Sequence, residues 1–112
     1  GVLHRMHGQY ADAEPLLMRA LAVKERLHGP DHPDVALTLH NLGLVYVSLG
    51  VPEKAEQLYR RALAIREKAL GETHQDVEKS LGELIGLLQK LHRDADAAPL
   101  EKRLSAIKQR RS

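Results

Sequence analysis

The sequence predicts an all-α fold, an α-solenoid of antiparallel helix pairs about two and a half repeats long. Three observations predict it. Shifting the 112-residue chain by 42 positions lays it on itself, with sixteen of the forty-two positions from Gly8 to Leu49 identical in the next copy. Ordinary residue usage would give about two or three. Apolar residues recur at i, i+4 and i+7 through each copy, the rhythm of a helix with one buried stripe. Breakers containing Gly and Pro separate the periodic stretches. A helix pair of this size cannot bury its apolar face alone, and stacking on its neighbours does so.

The elements follow in chain order. Gly1 to His7 reads as the tail of a helix whose beginning is absent, because its counterpart, Gly43 to Leu49, lies inside a longer helix. The chain is therefore expected to be a piece of a longer protein, and Gly8 is expected to stop the tail. Ala11 to about Leu27 forms the next helix, with Ala13, Leu17, Ala20 and Leu27 on one face and Leu16 and Val23 beside it. Pro15 sits in its first turn, where a missing N–H is tolerated. The run Gly29-Pro30-Asp31-His32-Pro33 breaks the chain. Gly29 suits the left-handed position past a helix end, and Pro33 suits the first position of the next helix. His32 and Asp31 compete for its N-cap.

Val35 to Leu49 is the central helix. Val35, Leu39, Leu42, Tyr46 and Leu49 form its packing stripe. The opposite face, at about 100° per residue, carries Leu37, His40, Asn41, Leu44, Val47 and Ser48. A surface helix normally charges that second face. This one mixes apolar and hydrogen-bonding groups, as a binding surface does. Gly50-Val51-Pro52 turns the chain into Glu53 to Leu70, with Ala55, Leu58, Tyr59, Ala62, Ile65 and Ala69 as seam and Arg66 and Glu67 on the wet side. Gly71 to His74 repeats the breaker without prolines. Gln75 to Leu91 follows, its seam Val77, Leu81, Leu84, Leu88 and Leu91. Asp94 to Lys108 is a weaker helix marked by Ala97, Leu100, Leu104 and Ile107, with Pro99 in its first turn. One domain is expected, divided at 1–7, 8–49, 50–91 and 92–112.

Composition narrows the function classes. With three Tyr and neither Phe nor Trp, the core must be built from Leu, Val, Ile and Ala. The absence of Cys rules out disulfides and thiolate metal sites and favours a reducing, cytoplasmic setting. A net charge of +2, with acids and bases interspersed, implies no blanket attraction to nucleic acid or membrane. Only the C-terminus tilts basic, through Lys102, Arg103, Lys108, Arg110 and Arg111. No apolar run reaches the roughly 20 residues that span a bilayer.

The spacings within each copy resemble the tetratricopeptide repeat. Its large–Leu–Gly–Tyr signature is found in Leu39, Leu42, Gly43 and Tyr46, and its Ala–aromatic–Ala signature in Ala55, Tyr59 and Ala62. The 42-residue period, the Gly-Pro-Asp-His-Pro-Asp-Val linker, and Ala-Glu-Pro-Leu-Leu followed by Arg-Ala-Leu-Ala are similar to the kinesin light chain subtype. The resemblance implies a superhelix whose first helices line a concave groove that holds an extended peptide or a helix of another protein. It implies groove residues at Val2, Arg5 and Met6, at Leu37, His40, Asn41, Leu44, Val47 and Ser48, and at Lys79, Glu83, Gln89 and Lys90. Asn41 matches the family's Asn that binds peptide backbone, where an amide donates to a C=O and accepts from an N–H. Gly82 and Gly86, four apart, would let a ligand backbone approach closely or mark drift in an end repeat.

The third unit departs from the pattern. Ile85 replaces the small residue, Leu88 the Tyr, Glu101 the aromatic and Leu104 the second Ala. A carboxylate is costly in a dry seam, so Glu101 is expected to face water. Seven His invite a metal, but His28 and His32 are separated by Gly29-Pro30, and His4, His7, His40 and His92 occupy different repeat positions. No metal or cofactor is expected. No phosphate-binding Gly-x-x-x-x-Gly-Lys loop and no distinctive Ser–His–Asp order is present, so no catalysis is expected. The expected function is a protein-interaction scaffold. Self-association through exposed repeat ends is the alternative, and nucleic-acid contact through the basic C-terminus is a lesser one.

Overall fold

The computed structural model describes residues 2–71 and 74–111, with side chains described from residue 11 to residue 110. Five helices follow one another: α1 (Val2–His28), α2 (Pro33–Ser48), α3 (Pro52–Leu70), α4 (Gln75–Lys90) and α5 (Asp94–Arg111). Each packs mainly on its neighbours in sequence, the mark of a one-dimensional stack. The radius of gyration is 14.8 Å, against about 13 Å for a compact globule of this length.

The expected stop at Gly8 is absent, and α1 runs through it. Glycine alone lowers helix stability by only about 1 kcal/mol relative to Ala. Its repeat counterpart does end a helix: Gly50 takes φ 81°, and Pro52 begins α3 two residues on. Gly8 is followed by Gln9 and Tyr10, with no proline to forbid continuation.

The start of α2 settles the competition for its cap. His32 Nδ1 accepts from the Asp34 N–H at 3.0 Å, satisfying one of the free donors of the first turn. Asp31 turns instead to Lys68, at 2.9 Å. The next repeat does the same: His74 Nδ1 accepts from the Asp76 N–H at 3.0 Å. The linker therefore repeats a histidine cap, which accounts for the recurrence of this residue at a spacing of 42.

The largest fully buried side chains are Val35, Leu39, Leu42, Val77, Leu81, Leu84 and Leu88, all on α2 and α4. Each such burial is worth roughly 1.5–3 kcal/mol. α2 and α4 thus form the spine, α2 packed by α1 and α3 and α4 by α3 and α5. Gly43 shows how close the clamp is: a Cβ there would lie 2.5 Å from Tyr59 Cε1.

Three seam assignments change. Leu27 is 71% exposed, because at 100° per residue it lies about 80° round α1 from Leu17. Leu21, not Leu27, packs with Leu17 on the core. Ala69 is exposed because α3, at 19 residues, overhangs the 16 residues of α2. Arg66, expected in water, is buried, and its guanidinium donates to Ser80 Oγ at 2.7 Å.

Candidate functional site

α2 and α4 are related by the 42-residue shift and present corresponding faces on one side of the stack. Between them lies a concavity of about 470 Å³. Leu44 and Val47 of α2 form one wall, and Gly82, Glu83, Gly86 and Lys90 of α4 form the other. Tyr59 of α3 and Leu87 of α4 close the floor. The helical repeat explains the wall residues. Once Leu39, Leu42 and Tyr46 are turned into the core, Leu37, Asn41, Leu44 and Ser48 are left outward at i, i+4, i+7 and i+11. Leu37 and Leu44 are 46% and 40% exposed, unusual for large side chains on so well buried a helix.

The two glycines give the far wall its shape. A Cβ built at Gly82 or Gly86 would meet nothing within 4 Å. Neither glycine is required by internal packing, unlike Gly43. Their effect is to widen the groove.

Beneath the floor lies a polar layer. His40 is buried, its ring centroid 5.6 Å from that of Tyr59 and its Nε2 3.9 Å from Glu83. Burial pulls the His40 pKa below its ordinary value, and Glu83 opposes this without reversing it. The imidazole is therefore neutral near pH 7. Burial, with Glu83 adding to it, pushes the Tyr59 phenol up to about 12, so it stays protonated. The Arg66 guanidinium is lowered by burial while Asp76 and Glu83 hold it up. Glu83 thus lines the groove above His40. Nothing in this layer is arranged as nucleophile and base. It is a packed polar support.

The expected groove residues divide four ways. Leu44, Val47, Glu83 and Lys90 line the concavity. Leu37, Asn41, Ser48, Lys79 and Gln89 are exposed outside it, and Gln89 donates to Glu101 at 2.8 Å. His40 is not a surface residue, because α2 is covered on three sides and the open strip is narrower than half a helix. The side chains of Val2, Arg5 and Met6 lie outside the described residues. Sequence reasoning missed Tyr59 and Leu87 as the floor. The signal for Tyr59 was Gly43, whose missing side chain leaves the ring room to pass under α2.

Elsewhere, the C-terminal basic run is partly answered, with Arg103 paired to Glu67. His28 and His32 do come together, stacked at 4.4 Å across the linker. Among the described residues no group of three acidic or histidine ligands could hold a metal, and no helix is long and apolar enough to cross a membrane.

Comparison with known proteins gives one family and one group of structures. The family model described as tetratricopeptide repeat matches residues 1–68. No curated protein sequence matches. The crystal structure of nearly identical TPR-like repeats from a candidate kinesin light chain of Podosopora anserina is similar at 25% identity and a TM-score of 0.81, covering 99% of this chain and 54% of that one. The crystal structure of BtubC (BKLC) from P. vanneervenii is similar at 27% identity and a TM-score of 0.81, covering 92% of this chain and 41% of that one. The chain thus spans about half the length or less of these two structures.

Proposed function

The chain belongs to the tetratricopeptide repeat family, and on that premise we propose that it is a non-catalytic scaffold whose α2–α4 groove holds a peptide or helix of another protein. Repeats of this family are generally protein–protein interaction scaffolds. One observation carries the finer reading: the exposed apolar pair Leu37 and Leu44 stands on a rigid helix beside an open concavity. Apolar anchors with a few polar groups beside them are the usual composition of a binding surface. Asn41 lies on the same strip and would meet the partner's backbone; Lys79, Lys90, Ser48 and Gln89 would form the rim. The repeat division proposed from sequence places α2 and α4 as the first helices of successive units. A cytoplasmic setting belongs to the same proposal.

Isothermal titration against peptides selected from a library tests this reading. Asn41→Ala with Leu44→Ala is expected to lower affinity at least tenfold, about 1.4 kcal/mol. Unchanged affinity would remove the groove from the account.

A second reading has its own observation. Leu16, Val23 and Leu27 of α1 are 64%, 53% and 71% exposed. Their counterparts Leu58, Ile65 and Ala69 lie on α3, where Leu58 and Ile65 pack on α2. A second copy could cover the α1 stripe and make the chain self-associate. Sedimentation over a range of concentrations decides: a monomer throughout eliminates it.

A further inference from the structure

The 42-residue repeat allows the two junctions between successive helices to be compared position by position. At the junction of α3, α4 and α5, Arg60 donates to Glu56 at 3.0 Å, and Arg93 pairs with both Glu56 and Asp96. One repeat earlier, Met18 stands in place of Arg60, Val51 in place of Arg93 and Lys54 in place of Asp96. Glu14, the counterpart of Glu56, lies toward Tyr46 instead, where it adds to burial in pushing the phenol's pKa up. The network is therefore missing at the junction of α1, α2 and α3.

What remains there is an apolar cavity of about 250 Å³, on the side of α2 away from the groove. Met18 and Leu21 of α1 and Leu42 and Tyr46 of α2 form its walls. Lys54 and Gln57, three apart on α3, are its polar lining residues besides the Tyr46 hydroxyl. The Lys54 ammonium lies 5.3 Å from the centre of the Tyr46 ring, and no ion pair holds it among the described residues. Met18 is 49% exposed and unbranched, so it can move to admit a ligand. Drug-sized ligands occupy roughly 300–1,000 Å³, so this cavity fits a smaller molecule.

From this juxtaposition we infer that the cavity between Met18, Tyr46 and Lys54 binds a small carboxylic acid with an apolar body. The apolar body packs between Met18, Leu21 and the Tyr46 ring. The carboxylate accepts from the Lys54 ammonium, a charge-assisted bond, and from the Gln57 amide, at the edge of the apolar wall. Glu14 lies toward Tyr46, so the Lys54 end is the place for the anion. This site is independent of the groove.

Titration of the full chain with 3-phenylpropanoate, followed by amide NMR shifts, tests the inference, with 3-phenylpropanol as the uncharged analogue. Saturable shifts centred on Leu21, Tyr46, Lys54 and Gln57 are expected at millimolar ligand. Lys54→Met is expected to weaken the carboxylate about tenfold and leave the alcohol unchanged. Met18→Arg restores the residue found at the other junction and is expected to abolish binding of both. Shifts that fail to saturate, equal loss of both ligands in Lys54→Met, or undiminished binding in Met18→Arg would each overturn it.

Discussion

The α2–α3 pair and the α4–α5 pair solve one packing problem in opposite ways. In the first, Gly43 gives up its side chain and Tyr59 of α3 fills the space, its ring only 3% exposed. In the second, Ile85 occupies the glycine position and is 8% exposed, while Glu101 stands where Tyr59 would be and faces water. Bulk has moved from the second helix to the first. Interior density is kept by the pair as a whole, not by either residue. The exchange has a consequence for the groove. Tyr59 supplies part of its floor, whereas the far side of α4 is backed by a helix with no ring to offer.

This comparison can be broken most severely at its apolar end. Ile85→Ala leaves a cavity under α4 that no aromatic ring can fill, and should lower unfolding free energy by about 3 kcal/mol in urea denaturation. A loss under about 1 kcal/mol would mean that the second pair does not rely on the exchanged bulk. Gly43→Ala should lower stability by about 2 kcal/mol, because the added methyl meets the Tyr59 ring. Adding Tyr59→Leu to Gly43→Ala should recover much of that loss, measured as a double-mutant coupling. Additive losses would detach the two residues from one another.

Gly82→Ala sharpens the contrast by reversing its sign. Open space surrounds this glycine, so helix propensity alone acts, and stability should rise by about 0.5–1 kcal/mol. A fall would show that the groove wall is packed after all.

The smallest effect is the pH dependence from His40. Its folded pKa is lowered by burial, so the unfolded chain, titrating near 6.5, takes up the proton first. Stability is then unaffected above that value and declines as pH falls through it. The urea midpoint should drop more between about pH 7.5 and 5.5 in the wild type than in His40→Gln. Equal slopes would place His40 in a solvated site.

Much of this fold was legible in the sequence. The 42-residue shift located the linkers, and the helical period located the outward Leu37, Asn41 and Leu44 strip. What escaped depends on helix neighbours, which periodicity does not count. His40 lies within the arc that a two-faced helix exposes, but α2 is covered on three sides. Arg66 reads as solvent-facing until Ser80 of α4 arrives to accept its hydrogen bond. Gly8 looks like Gly50 in register, and only the absent proline separates them. Of the groove, the walls could be read from side chains on one helix at a time. The floor, Tyr59 and Leu87, needed two elements in three dimensions.

The most direct measurement is a map of where a selected peptide touches the folded chain, by amide chemical-shift perturbation in NMR. Perturbations concentrated at Leu37, Asn41, Leu44, Val47, Gly82 and Gly86 are the predicted result. Perturbations confined to Leu16, Val23 and Leu27 of α1, with the α2–α4 groove silent, would contradict the account.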